Sequence, residues 1–315
     1  MTAEALWCTA PGMVELRAGA VGDGVLVKTL FSGISRGTER LVIEGKVPGS
    51  EYDRMRAPCQ EGAFPFPVKY GYCAVGQIAE GEHAGQAVFA LHPHQTQFRL
   101  GAENLTPLPP ALPPERAVLS ANMETALNVL WDSGAGAGDE IVIVGAGVVG
   151  ALTGYLAAKL PGTEVTLVDI NPDRAPLADA LGCAFAVPDT CPRDADVVVH
   201  VSASASGLAT AIEAAGDEAT VVEASWYGET PPPAHLGGAF HSRRLKLVSS
   251  QVGNLPAAQR PRWSYARRMG KALDLLCDPA LDALISGETA FAELASHYAT
   301  ILNDPSTLCH RVRYH

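Results

Sequence analysis

The sequence predicts an α/β protein, with a β-rich first part followed by a doubly wound parallel sheet. Three observations carry that prediction. From residue 140 onward, strand-length apolar runs alternate with helix-length segments, the rhythm of βαβ crossovers. The first hundred residues hold only short apolar runs bounded by Gly, Pro or charged residues. Between the two parts, Pro107, Pro109, Pro110, Pro113 and Pro114 crowd together, which excludes a helix interior or a central strand and marks a stiff connection.

In the first part, residues 25–27, 74–79 and 86–89 read as strands. Residues 44–67, with Pro48, Pro58, Pro65 and Pro67 among several charges, read as a long surface loop. Residues 115–131 have helical spacing, with Val118, Ala121, Thr125 and Val129 recurring, and a glycine-rich turn over 133–136 closes them. The alternation then gives strand Glu140–Val144, helix 148–160, strand Glu164–Val168, helix 172–181, strand 196–201, helix 208–215 and strand 220–224. A further strand follows over 245–250. The tail reads as helices over 263–276 and 291–302 and a last strand over 307–312.

Of the 315 residues, 47% are apolar and 18% charged, enough to bury a core and too apolar for a disordered chain. At roughly 100–200 residues per domain, this length predicts two domains. Acidic residues exceed basic ones by 34 − 23 = 11, so the surface repels phosphate, and neither nucleic acid nor anionic membrane is an expected partner. The 7 cysteines are scattered without C-x-x-C spacing, which predicts reduced thiols and a cytoplasmic location. The first residues show no basic segment leading into an apolar one, so no signal peptide is expected. Residues 141–158 are uncharged and place Gly150 and Gly154 four apart, the letters of a membrane span. A span needs about 20 apolar residues. Gly145 and Gly147 interrupt this run early, and a buried strand turning into a helix accounts for it better.

That turn is the most informative segment of the chain. Gly145, Ala146, Gly147, Val148, Val149 and Gly150 form G-x-G-x-x-G after a strand and at the start of a helix. The first glycine suits a tight turn, the second lets a pyrophosphate approach the backbone, and the third lets helix and strand pack closely. The helix N-terminus adds N–H donors and partial positive charge. The next strand ends in Asp169, nineteen residues beyond Gly150, placed to accept hydrogen bonds from a ribose diol. A glycine-rich corner that only packs, or a methyltransferase loop, would share the letters; the acid and the β-rich segment in front favour a dinucleotide. Asp169 repels a 2′-phosphate, and Ile170 and Asn171 offer no adjacent base. Arg174, five residues on, is placed to cap the adenine. NAD(H) is therefore expected, with NADP(H) as the alternative.

The order of a β-rich first part, a Rossmann unit and a short C-terminal return resembles the medium-chain dehydrogenase/reductase superfamily, that of the zinc alcohol dehydrogenases. The resemblance covers nearly the whole chain. Gly33-Ile34-Ser35-Arg36-Gly37-Thr38-Glu39 is similar to the family segment that carries the first catalytic zinc cysteine. Tyr70-Gly71-Tyr72-Cys73-Ala74-Val75-Gly76 is similar to its Gly-His-Glu motif. Asn122-Met123-Glu124-Thr125-Ala126 resembles the helix that supplies the third ligand and touches the nicotinamide. The resemblance implies a GroES-like substrate domain over 1–118, completed by 262–315, and a Rossmann domain over 119–261. It also implies that Thr125, and Ser202 at the end of a Rossmann strand, lie beside the nicotinamide ribose.

Departures from the family pattern matter as much. Ser35 stands where cysteine is usual, Tyr72 where histidine is, and Cys73 where glutamate is, while the third ligand falls near Ala121. Zinc takes about four N, S or O donors in a tetrahedron. This set does not provide them, and the four-cysteine lobe of the structural zinc is missing too. A zinc-lacking member with no metal is expected. Gly-Ile-Ser-x-Gly-Thr-Glu further resembles the branch that includes the bacteriochlorophyllide hydroxyethyl dehydrogenase.

Without zinc, a side chain must supply the proton for a developing alkoxide. Tyr72, at a former ligand position, is one candidate; a phenol satisfied by backbone is the bland alternative. His92 and His94 are others, because histidine titrates near neutrality and two residues two apart in a strand share a face. His94 and Glu124 join Tyr72 as candidate acids, and Ser35, Arg36, Glu39 and His92 as substrate-lining residues. Arg36 and Glu39 could equally pair with each other. Cys73 has no adjacent base and reads as packing. In the superfamily that the chain resembles, the apolar strand at 245–250 often pairs across a dimer axis, so the resemblance implies a homodimer joined through edge strands, with a monomer as the alternative. The expected activity is hydride transfer between NAD(P)(H) and an alcohol or ketone in the cleft between the domains. Reduction of a quinone or an activated C=C bond is the alternative, and a non-catalytic nucleotide-binding protein the second.

Overall fold

The computed structural model describes residues 3–314. The chain forms two compact units, one running to Ala121 and resuming at Met269, the other spanning Asn122–Arg268.

The first unit opens with β1 (Ala3–Ala10) and β2 (Met13–Gly19), an antiparallel hairpin. The 11-residue β3 (Val25–Ser35) then runs straight into α1 (Arg36–Ile43). Residues 44–67 are largely irregular, as their prolines predict, apart from the two-residue β4 (Glu61–Gly62). After β5 (Val68–Lys69) come β6 (Ala74–Ile78), β7 (Ala87–Ala90), β8 (Gln97–Leu100) and β9 (Thr106–Pro107). One sheet has the order β2-β1-β5-β4. The segment from His92 to Thr96 threads between β1 and β3: the Leu6 N–H donates to His94 O, and the Thr29 N–H to Thr96 O. It is not a strand, so the two-residue periodicity expected of His92 and His94 does not hold there. The helix expected over 115–131 is divided into α2 (Pro114–Ala117) and α3 (Ser120–Ser133).

The second unit is an open sheet of six parallel strands. β10 (Glu140–Val144), β11 (Glu164–Val168), β12 (Ala184–Ala186), β13 (Ala195–His200), β14 (Ala215–Glu223) and β15 (Lys246–Ser249) take the order β12-β11-β10-β13-β14-β15. The apolar run of β10 is buried at four of its five positions, as a parallel strand covered on both faces requires. Helices α4 (Val148–Ala157), α5 (Ala175–Ala180) and α6 (Ala205–Ala214) make the crossovers, and the four-residue α7 (Ala239–Ser242) precedes β15. The chain order reverses on either side of β10, where doubly wound sheets bind ligands at the carboxyl ends of their strands. The helix expected over 172–181 begins as a 3-10 turn, Pro172–Arg174, with Asn171 accepting from the Asp173 N–H.

After α8 (Tyr265–Leu275) the chain completes the first unit with β16 (Ile285–Ala290), α9 (Leu294–Asn303) and β17 (Cys309–Arg313). β17 pairs antiparallel with β3 from Cys309↔Ser35 to Arg313↔Phe31. The result is a seven-stranded sheet, β16-β17-β3-β6-β7-β9, with β8 on the other end of β3. This is the GroES-like unit, and the second is the Rossmann unit. All seven cysteines are free thiols. Among the described residues no helix is long and apolar enough to cross a membrane.

Candidate functional site

The glycine-rich loop of the Rossmann unit joins β10 to α4, and its three glycines play three different parts. Gly145 has φ +114, a left-handed conformation, and a Cβ there would lie 2.9 Å from the Ser202 backbone nitrogen. A Cβ on Gly147 would meet nothing within 4 Å, so that position opens to the surroundings. A Cβ on Gly150 would lie 1.9 Å from the Gly145 carbonyl oxygen, so only glycine lets α4 begin this close to the turn. Asp169 follows β11, and its carboxylate accepts from the Ala146 N–H (2.8 Å) and the Asn171 N–H (2.9 Å). Those bonds fix the carboxylate at the loop and leave each oxygen a further lone pair for a ribose hydroxyl. Beside it, Ile170 is an exposed apolar surface and Arg174 is half-buried. Ser202 lies exposed just past β13, with its Oγ 2.7 Å from His200 Nε2.

In the GroES-like unit, α1 places Glu39 with its side chain 1% exposed. One carboxylate oxygen accepts from the Ser35 N–H (2.7 Å); the other faces His94 Nε2 (3.0 Å) and accepts from Tyr298 Oη (2.5 Å). His94 Nδ1 meets Ser32 Oγ (2.7 Å), which lies 2.9 Å from Tyr314 Oη. Five side chains from β3, α1, the His92–Thr96 segment, α9 and the C-terminal end thus form one buried hydrogen-bonded chain. Gly71 makes room for it, since a Cβ there would sit 3.0 Å from the His94 ring. Next to this chain, the Tyr72 hydroxyl bonds to the side chains of Ser35 and Thr38. Burial, and secondarily Cys73, push the Tyr72 phenol well up from its ordinary value, while the two hydroxyls pull the other way. Tyr72 is therefore a neutral donor at physiological pH.

Several residues serve other ends than those expected. His92 is not exposed to a ligand: its ring stacks on Phe98 (4.0 Å, 11°) within the core, and burial takes it down to about 3. His94 has both ring nitrogens engaged within the buried chain, so it touches no ligand directly. Arg36, expected to line the substrate or to pair with Glu39, donates from its Nε to Leu302 O (3.0 Å) in the last turn of α9. Glu124 is buried against Arg268 (3.0 Å) and is an ion-pair partner, not a free acid. Thr125 is half-buried on α3. Sequence reasoning missed Thr38, Tyr298, Tyr314 and Arg268. Only Thr38 lay inside a quoted motif.

The superfamily that the sequence resembles carries a catalytic zinc. Ser35, Tyr72, Cys73 and Ala121 offer two hydroxyls, one buried thiol and a methyl, which is not a zinc-binding set. Among the described residues no group of three or more His, Cys, Asp or Glu side chains comes together to hold a metal.

No family model matches the chain. It is 22% identical to the D-guloside 3-dehydrogenase of Escherichia coli (strain K12), over 98% of this chain and 96% of that protein. Its fold superposes on the L-idonate 5-dehydrogenase of Escherichia coli with a TM-score of 0.79 at 14% identity, covering 100% of this chain and 99% of that one. A putative zinc-binding dehydrogenase from Sinorhizobium meliloti, bound to NADP, gives 0.79 at 19% identity and covers 100% of both chains.

Proposed function

We propose that the chain is a nicotinamide-dependent oxidoreductase of the medium-chain dehydrogenase type, interconverting an alcohol and a ketone without zinc. The observation that carries this reading is the glycine loop, with each glycine in the part that dinucleotide binding needs and Asp169 locked beside it. Gly145, Ala146, Gly147, Val148, Val149 and Gly150 would hold the pyrophosphate, and Asp169 the adenosine ribose, with Ile170 and Arg174 against the adenine. Thr125 and Ser202 fall to the nicotinamide half. NAD(H) is favoured, because a fixed carboxylate at the ribose repels a 2′-phosphate. When bound, the dinucleotide supplies or accepts the hydride.

The chain's own part is the proton. Tyr72 Oη, kept neutral, donates to the substrate carbonyl oxygen and yields its proton as the alkoxide develops. An alkoxide is a far stronger base than a phenolate, so the transfer is downhill. The Ser35 and Thr38 hydroxyls hold the charge left on Tyr72. Glu39 and His94 position this group through the Ser35 backbone. The relative named for D-guloside makes sugars and polyols the first substrates to screen. A homodimer through β15 is part of the same proposal: β15 ends the six-stranded sheet, and Leu247 on it is 40% exposed. A mass in solution of twice 33.0 kDa is expected, and a single species at 33.0 kDa would remove the dimer.

Calorimetric titration with NADH and NADPH tests the cofactor. NADH is expected to bind the tighter by tenfold or more; if neither nucleotide binds, the oxidoreductase reading is lost. Asp169→Asn keeps the side-chain shape and removes the charge. It should weaken NADH by about 10- to 100-fold, the worth of ~1.5–3 kcal/mol of charged hydrogen bonds, and narrow the gap to NADPH. Tyr72→Phe should lower kcat by about 100-fold or more with NADH affinity unchanged. Undiminished turnover in that variant would assign the proton to another group.

A further inference from the structure

His200, Ser202 and Glu223 form a second constellation at the carboxyl ends of β13 and β14, and its Ser202 adjoins the glycine loop. His200 and Glu223 are the last residues of adjacent parallel strands and lie in register. The His200 side chain is fully buried, with Nδ1 2.7 Å from Glu223 Oε2. Glu223 is held as a carboxylate: burial alone would raise it, but His200 and the Ser225 N–H (2.8 Å to Oε1) bring it below its ordinary value. Tyr227 Oη also donates to Glu223 Oε2 (3.0 Å). A carboxylate at Nδ1 fixes the proton there and leaves Nε2 as an acceptor. That acceptor lies 2.7 Å from Oγ of the exposed Ser202.

The neighbouring hydroxyl completes a consistent direction of donation. Ser204 Oγ accepts from the Gly207 N–H (3.0 Å), so its own proton is available to Ser202 Oγ (2.9 Å). Ser202 then donates to His200, and His200 to Glu223. Gly207 is what admits this arrangement: a Cβ there would lie 2.1 Å from Ser202 Oγ and 2.8 Å from His200 Nε2. Ser202 Oγ therefore sits against the first turn of α6, whose leading N–H groups lack intrahelical acceptors and whose dipole favours negative charge. A nucleophile, a base in hydrogen-bond reach and a third group orienting the base are the parts of an activated serine.

We propose that Ser202 is a base-activated nucleophile, with His200 as its base and Glu223 orienting His200, and that it accepts acyl groups from activated carboxylic esters. Ser202 Oγ bonds to the ester carbonyl carbon while its proton passes to His200 Nε2. The oxyanion forms next to the start of α6. Collapse breaks the bond to the leaving oxygen, which departs with the proton from His200. Water then attacks the acyl carbon and gives a proton to His200 Nε2; the C–Oγ bond breaks as His200 passes that proton to Ser202 Oγ, releasing the carboxylic acid and the free serine. No oxidant or reductant is involved, so this chemistry goes beyond hydride transfer and does not depend on it.

The test is run on the whole protein without nucleotide, so a failure of the cofactor reading leaves it untouched. A fluorophosphonate probe forms an Oγ–P bond and releases fluoride, and the adduct is located by peptide mass spectrometry. The expected result is an adduct on Ser202, none on that peptide in Ser202→Ala, and labelling about 100-fold slower in His200→Gln or Glu223→Gln. Hydrolysis of p-nitrophenyl acetate should fall in parallel. Ser202→Ala removes the partner of the buried His200 Nε2, so its thermal melt is recorded first, and a cooperative transition qualifies it as the folded control. No adduct on Ser202 in the wild-type protein overturns the proposal, as does equal labelling in folded His200→Gln.

Discussion

Replacing Arg268 by Met should lower folding stability by about 3–5 kcal/mol near pH 8, because it strands a buried carboxylate. Arg268 is 2% exposed, and its guanidinium donates to Glu124 Oε1 (3.0 Å), Asn128 Oδ1 (2.5 Å) and Val252 O (2.7 Å). Burial already raises Glu124 above its ordinary value, and Arg268 is the group that opposes the rise. A carboxyl raised in the folded state favours folding most when protonated, and that benefit is lost as pH climbs through the folded value. Without Arg268 the rise grows. The deficit of the variant should therefore be largest at alkaline pH and shrink toward pH 5, where Glu124 takes up a proton. Urea titrations at pH 5 and pH 8 measure it, and an equal deficit at both would show that the Glu124 charge is not its cause. A paired Arg268→Met, Glu124→Met change should recover much of the loss, since apolar groups of similar volume often replace a buried ion pair without cost.

The second large effect separates two glycines three residues apart. Gly150→Ala puts a methyl 1.9 Å from the Gly145 carbonyl oxygen and 2.8 Å from Val201 Cγ2, so α4 must move away from β10. Overpacking of this kind costs about 1–3 kcal/mol or more, and the loop should lose its NADH binding with it. Gly147→Ala meets nothing within 4 Å and should leave the melting temperature unchanged. Its methyl nevertheless stands where a pyrophosphate has to approach, so NADH affinity should fall while the fold persists. Thermal melts and calorimetry on both variants distinguish a packing glycine from a binding one. Equal NADH affinity in Gly147→Ala and wild type would place the phosphates elsewhere.

The Rossmann unit was the legible part of the chain because each of its signals is local. β10 and β11 match their predicted bounds, and the loop between β10 and α4 carries its own spacing. The GroES-like unit was harder to read. β2 mixes exposed and half-buried residues, buries none and offers no apolar run, and α1 begins directly at the end of β3 with Gly37 inside it. The candidate site depends on partners that no window of sequence can pair. Glu39 meets Tyr298 across 259 positions, and Glu124 meets Arg268 across 144. Glu124 looked available for chemistry only because the cation that neutralises it lies so far along the chain. His92 and His94 were assigned a shared face by a strand period, and the backbone there follows the hydrogen bonds of β1 and β3 instead.

The path of β17 has a consequence for the order in which the protein is made. A ribosome releases the chain from its N-terminus, and domains generally fold as units as they emerge. Every strand of the Rossmann sheet lies before residue 250, so that unit can close while the last helices are still in the exit tunnel. The GroES-like unit cannot. Its central strand β3 waits for Cys309–Arg313, and the Ser32–His94–Glu39 chain waits for Tyr298 and Tyr314. Until then the Phe31–Ser35 end of that edge of β3 stays unpaired, although β8 already covers Val25–Lys28, while some 270 further residues are added. β3 is thus made long before it reaches its last partner, and the GroES-like unit, although begun before the Rossmann unit, is finished after it.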